Sequence, residues 1–342
     1  MLFFCALNGI KNRIVDVSHQ AFYSKHFPVS VGLRSQTLKL KFVSPETEGR
    51  FLQPNGGHKK ILEIIKQQFN RSIPKPIFFH TFIGETISQI YSPFYVDKKI
   101  YDAVLNRPVS SQLPDNFDIL EFPEESPDWR IRFIPAQCPD CGWDLDGERD
   151  SLILHCRNCN SAWYPVKESF KKLKFSYIPE EGGNVTYLPF YRIKADISGL
   201  QLESYADLIK AANLPKVVRE PWKERIFYFW LPAFKVRPHD FLNFMRNLTL
   251  SQPENKLKPE MPQGRLHPAT LPIYEAIDGL KLTLASFIKP ERIWFPKLME
   301  AEIKAREFLL VYVPFNERGN ELSCPSFSLR INKKLLAYGR NL

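Results

Sequence analysis

The chain has 342 residues, 44% of them apolar and 25% charged, which is material for a sizeable core and, at about 150 residues per domain, for more than one domain. Its 47 Lys and Arg against 37 Asp and Glu leave a formal net charge of +10, which favours acidic partners, anionic membranes or nucleic acid, although no block of five or six like charges forms a basic tail. No stretch reaches the ~18 apolar residues of a membrane span, and six cysteines without a disulfide framework fit a reducing, cytoplasmic setting.

The start, Met1 to Leu7, is apolar but too short for a signal-peptide core and has no basic residues before it. Residues 1–50 read as β-structure after a ragged beginning, because Thr37-Leu-Lys-Leu-Lys-Phe-Val alternates at the strand period. Lys59 to Phe69 has apolar residues at 61, 62, 64, 65 and 69, a helical spacing. Phe78 to Val96 reads as two strands broken near Gly84-Glu85, and 107–128 as a Pro- and Asp-rich connector. Arg130 to Ile134 alternates and leads into the first cysteine pair.

Beyond residue 184, strands and helices alternate. The strands are expected at Tyr187–Ile197, Ile226–Val236, Leu309–Phe315, Ser326–Ile331 and Leu335–Tyr338. The helices are expected at Tyr205–Ala212, His239–Leu248, Leu271–Phe287 and Phe295–Phe308, with Ser251–Gly264 a loop. An aromatic-x-Pro pattern recurs in Tyr91-Ser-Pro-Phe-Tyr, Tyr187-Leu-Pro-Phe-Tyr, Trp230-Leu-Pro-Ala-Phe and Tyr312-Val-Pro-Phe-Asn. Proline cannot donate to a ladder, so these positions belong at sheet edges, bulges or strand starts.

The motif that carries chemistry is Cys138-Pro-Asp-Cys141-Gly142 followed by Cys156-Arg-Asn-Cys159-Asn160, with fourteen residues between the pairs. A two-residue gap lets both sulfurs of a pair reach one ion, and four thiolates complete a tetrahedral shell. Gly142 and Asn160 follow the second cysteine of each pair and are the residue types that best tolerate the positive φ of such a turn. Asp146-Gly147 marks a turn, and Ala162-Trp-Tyr supplies a strand. Over residues 134–166 the chain resembles the zinc-ribbon family. The resemblance implies one structural Zn²⁺ held by Cys138, Cys141, Cys156 and Cys159, and it implies transcription, replication or RNA processing as common settings. Iron in a rubredoxin-like four-thiolate site is the rival reading. His155, beside Cys156, is either a substitute ligand or an exposed strand residue.

No phosphate loop, dinucleotide fingerprint, His-Glu-x-x-His or nucleophile elbow occurs. Glu85 in an apolar context, His239-Asp240 and Cys324 are the remaining candidates for chemistry, each with a structural reading beside it. Residues 131–170 carry four basic and six acidic side chains, with Asp140, Asp144, Asp146, Glu148 and Asp150 clustered. That sign opposes phosphate contacts by the ribbon itself. Nucleic acid would instead use the basic C-terminal half, around Tyr191, Phe229, Trp230 and Phe234.

The expected architecture is α+β or mixed α/β. A β-rich N-terminal domain (1–129) and a zinc ribbon (130–170) precede a larger C-terminal α/β domain (171–342) with recurring Pro-aromatic strands. The expected function is a zinc-stabilised scaffold or protein-binding chain that meets a protein partner or self-assembles. Nucleic-acid binding is the alternative, and an enzyme with an unrecognised site the third option.

Overall fold

The apolar start is a strand, Leu2–Ala6 (β1), with every side chain buried. Five apolar residues without polar alternation suit a strand covered on both faces. It lies between Gly9–Arg13 (β2) and Ile77–Phe82 (β3), antiparallel to both. The ragged beginning expected from the sequence is thus a buried central strand. The structure, a computed structural model, describes residues 1–13, 26–27, 43, 46–53, 62–63, 66–67, 70, 72–84, 91–126, 133–180, 184–253 and 257–339. The strand expected over 37–43 falls outside them except for Val43, and of the helix expected over 59–69 the described residues 62, 63, 66 and 67 are helical.

The contacts gather the chain into two units, one of 1–14, 73–85 and 133–342 and the other of 15–72 and 86–132. The β1–β3 ladder lies within the larger unit, and so do the two cysteine pairs. Within the smaller unit, Phe94–Val96 (β4), Ile100–Asp102 (β5) and Arg107–Pro108 (β6) form an antiparallel sheet. The Phe27 ring meets Phe94 and Phe122 edge-on, at 6.2 and 5.3 Å between centroids. Residues 109–126 are mostly irregular, with one 3-10 turn at Ile119–Glu121 capped by Asp118.

The larger unit continues with Leu154–Cys156 (β7), Ser161–Val166 (β8) and Ser169–Leu173 (β9), an antiparallel three-stranded sheet. Then follow Phe175–Tyr177 (β10), Val185–Ser198 (β11), helices Tyr205–Ala211 (α1) and Pro221–Glu224 (α2), and Phe229–Pro232 (β12). Pro238–Ser251 (α3), Arg265–Leu266 (β13), Ile273–Asp278 (α4), Leu280–Ala285 (α5) and Glu291–Glu300 (α6) come next. The chain closes with Glu302–Arg318 (β14), Glu321–Cys324 (β15), Leu329–Asn332 (β16) and Lys333–Gly339 (α7). Strands and helices are therefore mixed, around a seven-stranded sheet of order β12-β11-β14-β15-β16, with β10 added to β14 and β13 to β11. All of its pairings are antiparallel except those two additions.

The core lies on this sheet. The first half of β11, Val185 to Tyr191, is buried without alternation, and its second half alternates toward solvent. Phe190 packs edge-on against Phe234 and against Phe244 of α3, which in turn meets Phe315 of β14. α3 begins with Pro238 at its first position and ends at Gln252 in a left-handed conformation.

Four local expectations need correction. Residues 302–308 are strand: Glu302-Ile-Lys-Ala-Arg alternates exposed and half-buried, and Ile303 and Ala305 pair with Ile197 and Ala195. Leu335–Tyr338 is helix, because the Asn332 side chain accepts from the Lys334 amide (2.8 Å) and so starts α7. The single helix expected over 271–287 divides at Gly279, where an added Cβ would meet Leu231 Cδ2 at 2.7 Å. The strand expected over 226–236 shrinks to Phe229–Pro232.

The recurring prolines also differ from expectation. Tyr187, Leu188 and Pro189 face Pro314, Val313 and Tyr312 across two interior strands, so edge positions are not what unites them. In an antiparallel ladder a residue's N–H and C=O point the same way. The Pro189 carbonyl accepts from Ala233 (3.0 Å), so its nitrogen faces the side where β12 ends at Pro232. The Tyr187 carbonyl accepts from His267 (2.9 Å), which turns its partner Pro314 toward the opposite side. There Pro314 falls between the stretches of β14 paired with β10 and with β15. Pro189 and Pro314 each occupy a gap in a local ladder, and neither position loses a donor.

Glu317 fastens the end of β14. Its carboxylate accepts from Asn184 (3.0 Å), Lys333 (2.6 Å) and the Thr186 hydroxyl. Lys333 and Thr186 hold its pKa below the usual carboxylate range. That stabilisation is present above the unfolded carboxylate pKa of ~4.3 and is lost as pH falls through the lower folded value. Glu317→Gln is expected to cost about 1–3 kcal/mol near neutrality. In urea titrations the gap from the unmodified protein should close as the carboxylate of the latter becomes protonated.

Candidate metal centre

The four cysteines converge. Cys138 and Cys141 sit on a turn in which the Gly142 amide donates to the Cys138 carbonyl (2.8 Å) and the Cys138 amide to the Trp143 carbonyl (2.7 Å). Cys156 ends β7, Ser161 opens β8, and these two residues pair across the hairpin that carries Cys159. Gly142 (φ +72°) and Asn160 (φ +51°) are both left-handed, which is why glycine and asparagine stand there.

The ligand sulfurs all lie within 4.8 Å of one another, with Cys138–Cys159 and Cys141–Cys156 at 3.5 Å. A tetrahedral four-thiolate site with metal–sulfur bonds of ~2.3 Å has sulfur–sulfur edges of ~3.8 Å. A disulfide would need ~2.05 Å. The donor set therefore fits one metal ion, and all four positions of the shell are filled by protein.

The surroundings favour negative charge at two of the four sulfurs and oppose it at the other two. Burial opposes ionisation of Cys138, but the Ser161 hydroxyl and the amides of Cys141 and Asp140 bring its thiol down to about 6. The Asn158 side chain and the Trp143 amide lower Cys141. Burial raises Cys156. Cys159 rises to about 12: Ser161 acts to lower it, but burial and the neighbouring Cys138, Cys156 and Cys141 outweigh that. Four thiolates this close repel one another unless a cation sits among them, so binding and deprotonation are coupled.

Ser161 was not anticipated from the sequence. Its hydroxyl lies 3.0 Å from the Cys159 sulfur and 3.6 Å from that of Cys138, and it accepts from the Trp163 indole (2.7 Å). The only local hint is its place directly after the second cysteine turn. Trp163 joins Leu145, Cys138 and Cys156 in a small core against which Leu154 and Phe170 pack. Phe170 comes from β9, a strand the sequence reading did not include. β9 also brings Lys172, which donates to Asp140, while Arg157 pairs with Asp146 at 2.6 Å. Two of the five clustered acids are thus neutralised within the ribbon, and its acidic character is weaker than composition alone suggested.

His155 is neither a substitute ligand nor an exposed strand residue. It is 8% exposed, and its Nε2 lies 2.8 Å from the Tyr312 hydroxyl in the main sheet. Burial pulls its pKa down to about 4, so the ring is neutral at physiological pH. With the Leu152 amide on the Ala269 carbonyl (2.8 Å), this contact fixes the ribbon to the sheet.

The other candidates are not brought together with the cysteines. Glu85 lies outside the described residues. His239 is 90% exposed at the start of α3, 3.5 Å from Asp240. Cys324 is buried, and burial pushes its thiol up to about 12, far from a reactive thiolate. Tyr191, Phe229, Trp230 and Phe234 are each at most 1% exposed, so these aromatics pack the core and offer no stacking platform. Among the described residues no helix is long and apolar enough to cross a membrane. No family model, curated protein or solved structure matches the chain.

Proposed function

We propose that the chain is a zinc-stabilised protein-binding or assembly protein, and that its ribbon is the docking element. The carrying observation is Trp143. It follows the first cysteine turn directly and is 61% exposed, while the neighbouring Leu145 and Trp163 are buried. A large aromatic held out on a turn that the metal makes rigid is the type of side chain that anchors protein interfaces. The closed four-cysteine shell leaves no position for water or substrate, which supports a structural metal. Zinc is the ion we assign, on the ribbon-like turns and hairpin; an iron site of the same geometry would be coloured, whereas zinc is spectroscopically silent.

The test is affinity purification of the full chain from its native cell, with and without nuclease, beside the Trp143→Ala variant. A protein partner or a second copy should persist through nuclease treatment and be lost in the variant, at unchanged metal content. A monomer that retains no protein but shifts a single-stranded probe in a salt-sensitive way would replace this reading with nucleic-acid binding.

A further inference from the structure

One sulfur of each cysteine turn is open to solvent and the other is not. Cys141 and Cys159 are exposed, whereas Cys138 and Cys156 are buried. The Cys138–Cys159 and Cys141–Cys156 approaches of 3.5 Å both run between the turns, and each joins a buried sulfur to an exposed one. Four protein ligands shut water out of the shell of a bound ion, but they do not shield the two exposed sulfurs from a small reagent.

Ligation keeps all four sulfurs as thiolates. A thiolate that solvent reaches is the form of cysteine that peroxides oxidise, and a second thiol in contact turns the first product into a disulfide. Both conditions are met twice in this cluster. The other two cysteines meet neither in the same way: Cys5 and Cys324 are buried, and burial holds their thiols protonated. A cross-turn disulfide of ~2.05 Å is reached from 3.5 Å by a closure of about 1.5 Å, which two short turns can share.

We propose that Cys141 and Cys159 are oxidation sites for hydroperoxides, and that oxidation exchanges the bound ion for two disulfides, Cys138–Cys159 and Cys141–Cys156. The exposed thiolate attacks one oxygen of hydrogen peroxide. The O–O bond breaks, hydroxide leaves, and the sulfur becomes a sulfenic acid. The buried thiolate opposite then attacks that sulfur. The S–S bond forms, the S–O bond breaks, and a second hydroxide leaves. Each hydroxide takes a proton from solvent. One peroxide is thus reduced to two waters for each disulfide formed, and two peroxides consume the four thiolates. Disulfide sulfurs carry no charge to hold a dication, so the ion passes to solvent. Its release rests on the metal reading above, whereas the pairing rests on the sulfur geometry alone.

The experiment treats the full-length protein with a few-fold molar excess of hydrogen peroxide, with dimedone added to a second sample to trap sulfenic acid. Native mass spectrometry before treatment reports the bound ion. An empty site there would overturn the metal reading and leave the pairing to be read from the linkages. After treatment the ion should be lost, and the six thiols counted in the denatured protein should fall to two, Cys5 and Cys324. Trypsin with an Asp-specific protease, used without reductant, separates all four ligands, because Asp140 lies between Cys138 and Cys141 and Arg157 between Cys156 and Cys159. The linked peptides should join Cys138 to Cys159 and Cys141 to Cys156, and dimedone should mark Cys141 or Cys159. A thiol reductant with added zinc should restore the starting mass. The proposal is overturned if the links join Cys138 to Cys141 and Cys156 to Cys159, or if dimedone marks the buried pair. It is equally overturned if sulfinic or sulfonic acids form in place of disulfides, or if the four ligands are oxidised no faster than Cys5 and Cys324.

Discussion

Replacing Cys141 with Ser should empty the metal site and open the ribbon over residues 136–173. The metal is expected to contribute on the order of 10 kcal/mol to a module of this kind. Without it the local core is four buried residues, Cys138, Leu145, Cys156 and Trp163, too few to hold three short strands. Three ligands cannot compensate, because Cys141 supplies one corner of a shell that has no spare donor. Tryptic cleavage should appear at Arg149, Arg157 and Lys167, which are exposed but held in folded backbone. The main sheet should stay largely protected, since the ribbon adds only Ile153 and Ala162 to the buried core around it, with Tyr164 and Leu173 packed alongside. A variant with full metal stoichiometry and unchanged proteolysis over 136–173 would sink the assignment. A chelator should reproduce the same cleavage pattern in the unmodified protein.

Phe190→Ala is the second large expectation, about 3–5 kcal/mol of destabilisation. The ring is fully buried on the central strand β11, with Pro232 beside it on β12 and Val311 beside it on β14. It meets Phe234 at 5.6 Å and Phe244 at 5.9 Å between centroids. Both neighbours are themselves fixed by further aromatic contacts, to each other and to His267 and Phe315, so the cavity cannot collapse cheaply. Denaturant unfolding should show the loss across the whole larger unit, in contrast to the local opening expected from Cys141→Ser. A cost below ~1 kcal/mol would mean that this ring is not part of a rigid core.

The contrast between these two sites shows what was legible. The cysteine turns could be read locally, since each ligand pair, its left-handed residue and its hairpin lie within a few positions of one another. The long strand at 187–197 and the helix at 239–248 were readable for the same reason: their periodicity is carried by consecutive residues. The strand at 302–308 was missed because Glu, Lys, Ala and Arg are good helix formers, and only pairing with β11 overrides that preference. The burial of His155 was invisible because its partner, Tyr312, is 157 residues away. The aromatics taken as a stacking surface turned inward because α3 packs on the sheet that carries them.

By itself the sequence identified a four-cysteine cluster that could hold a metal ion, the residues that form it and the turns that shape it. Metal ligation at two-residue spacing is a short-range property of the chain. Only the tertiary structure decided that the ribbon is fastened to the main sheet, that β9 partly neutralises its acids, and that Trp143 stays exposed while Trp163 is buried. Those outcomes depend on which distant strands pair and in which register, and a one-residue shift in register would send each of these side chains to the other face.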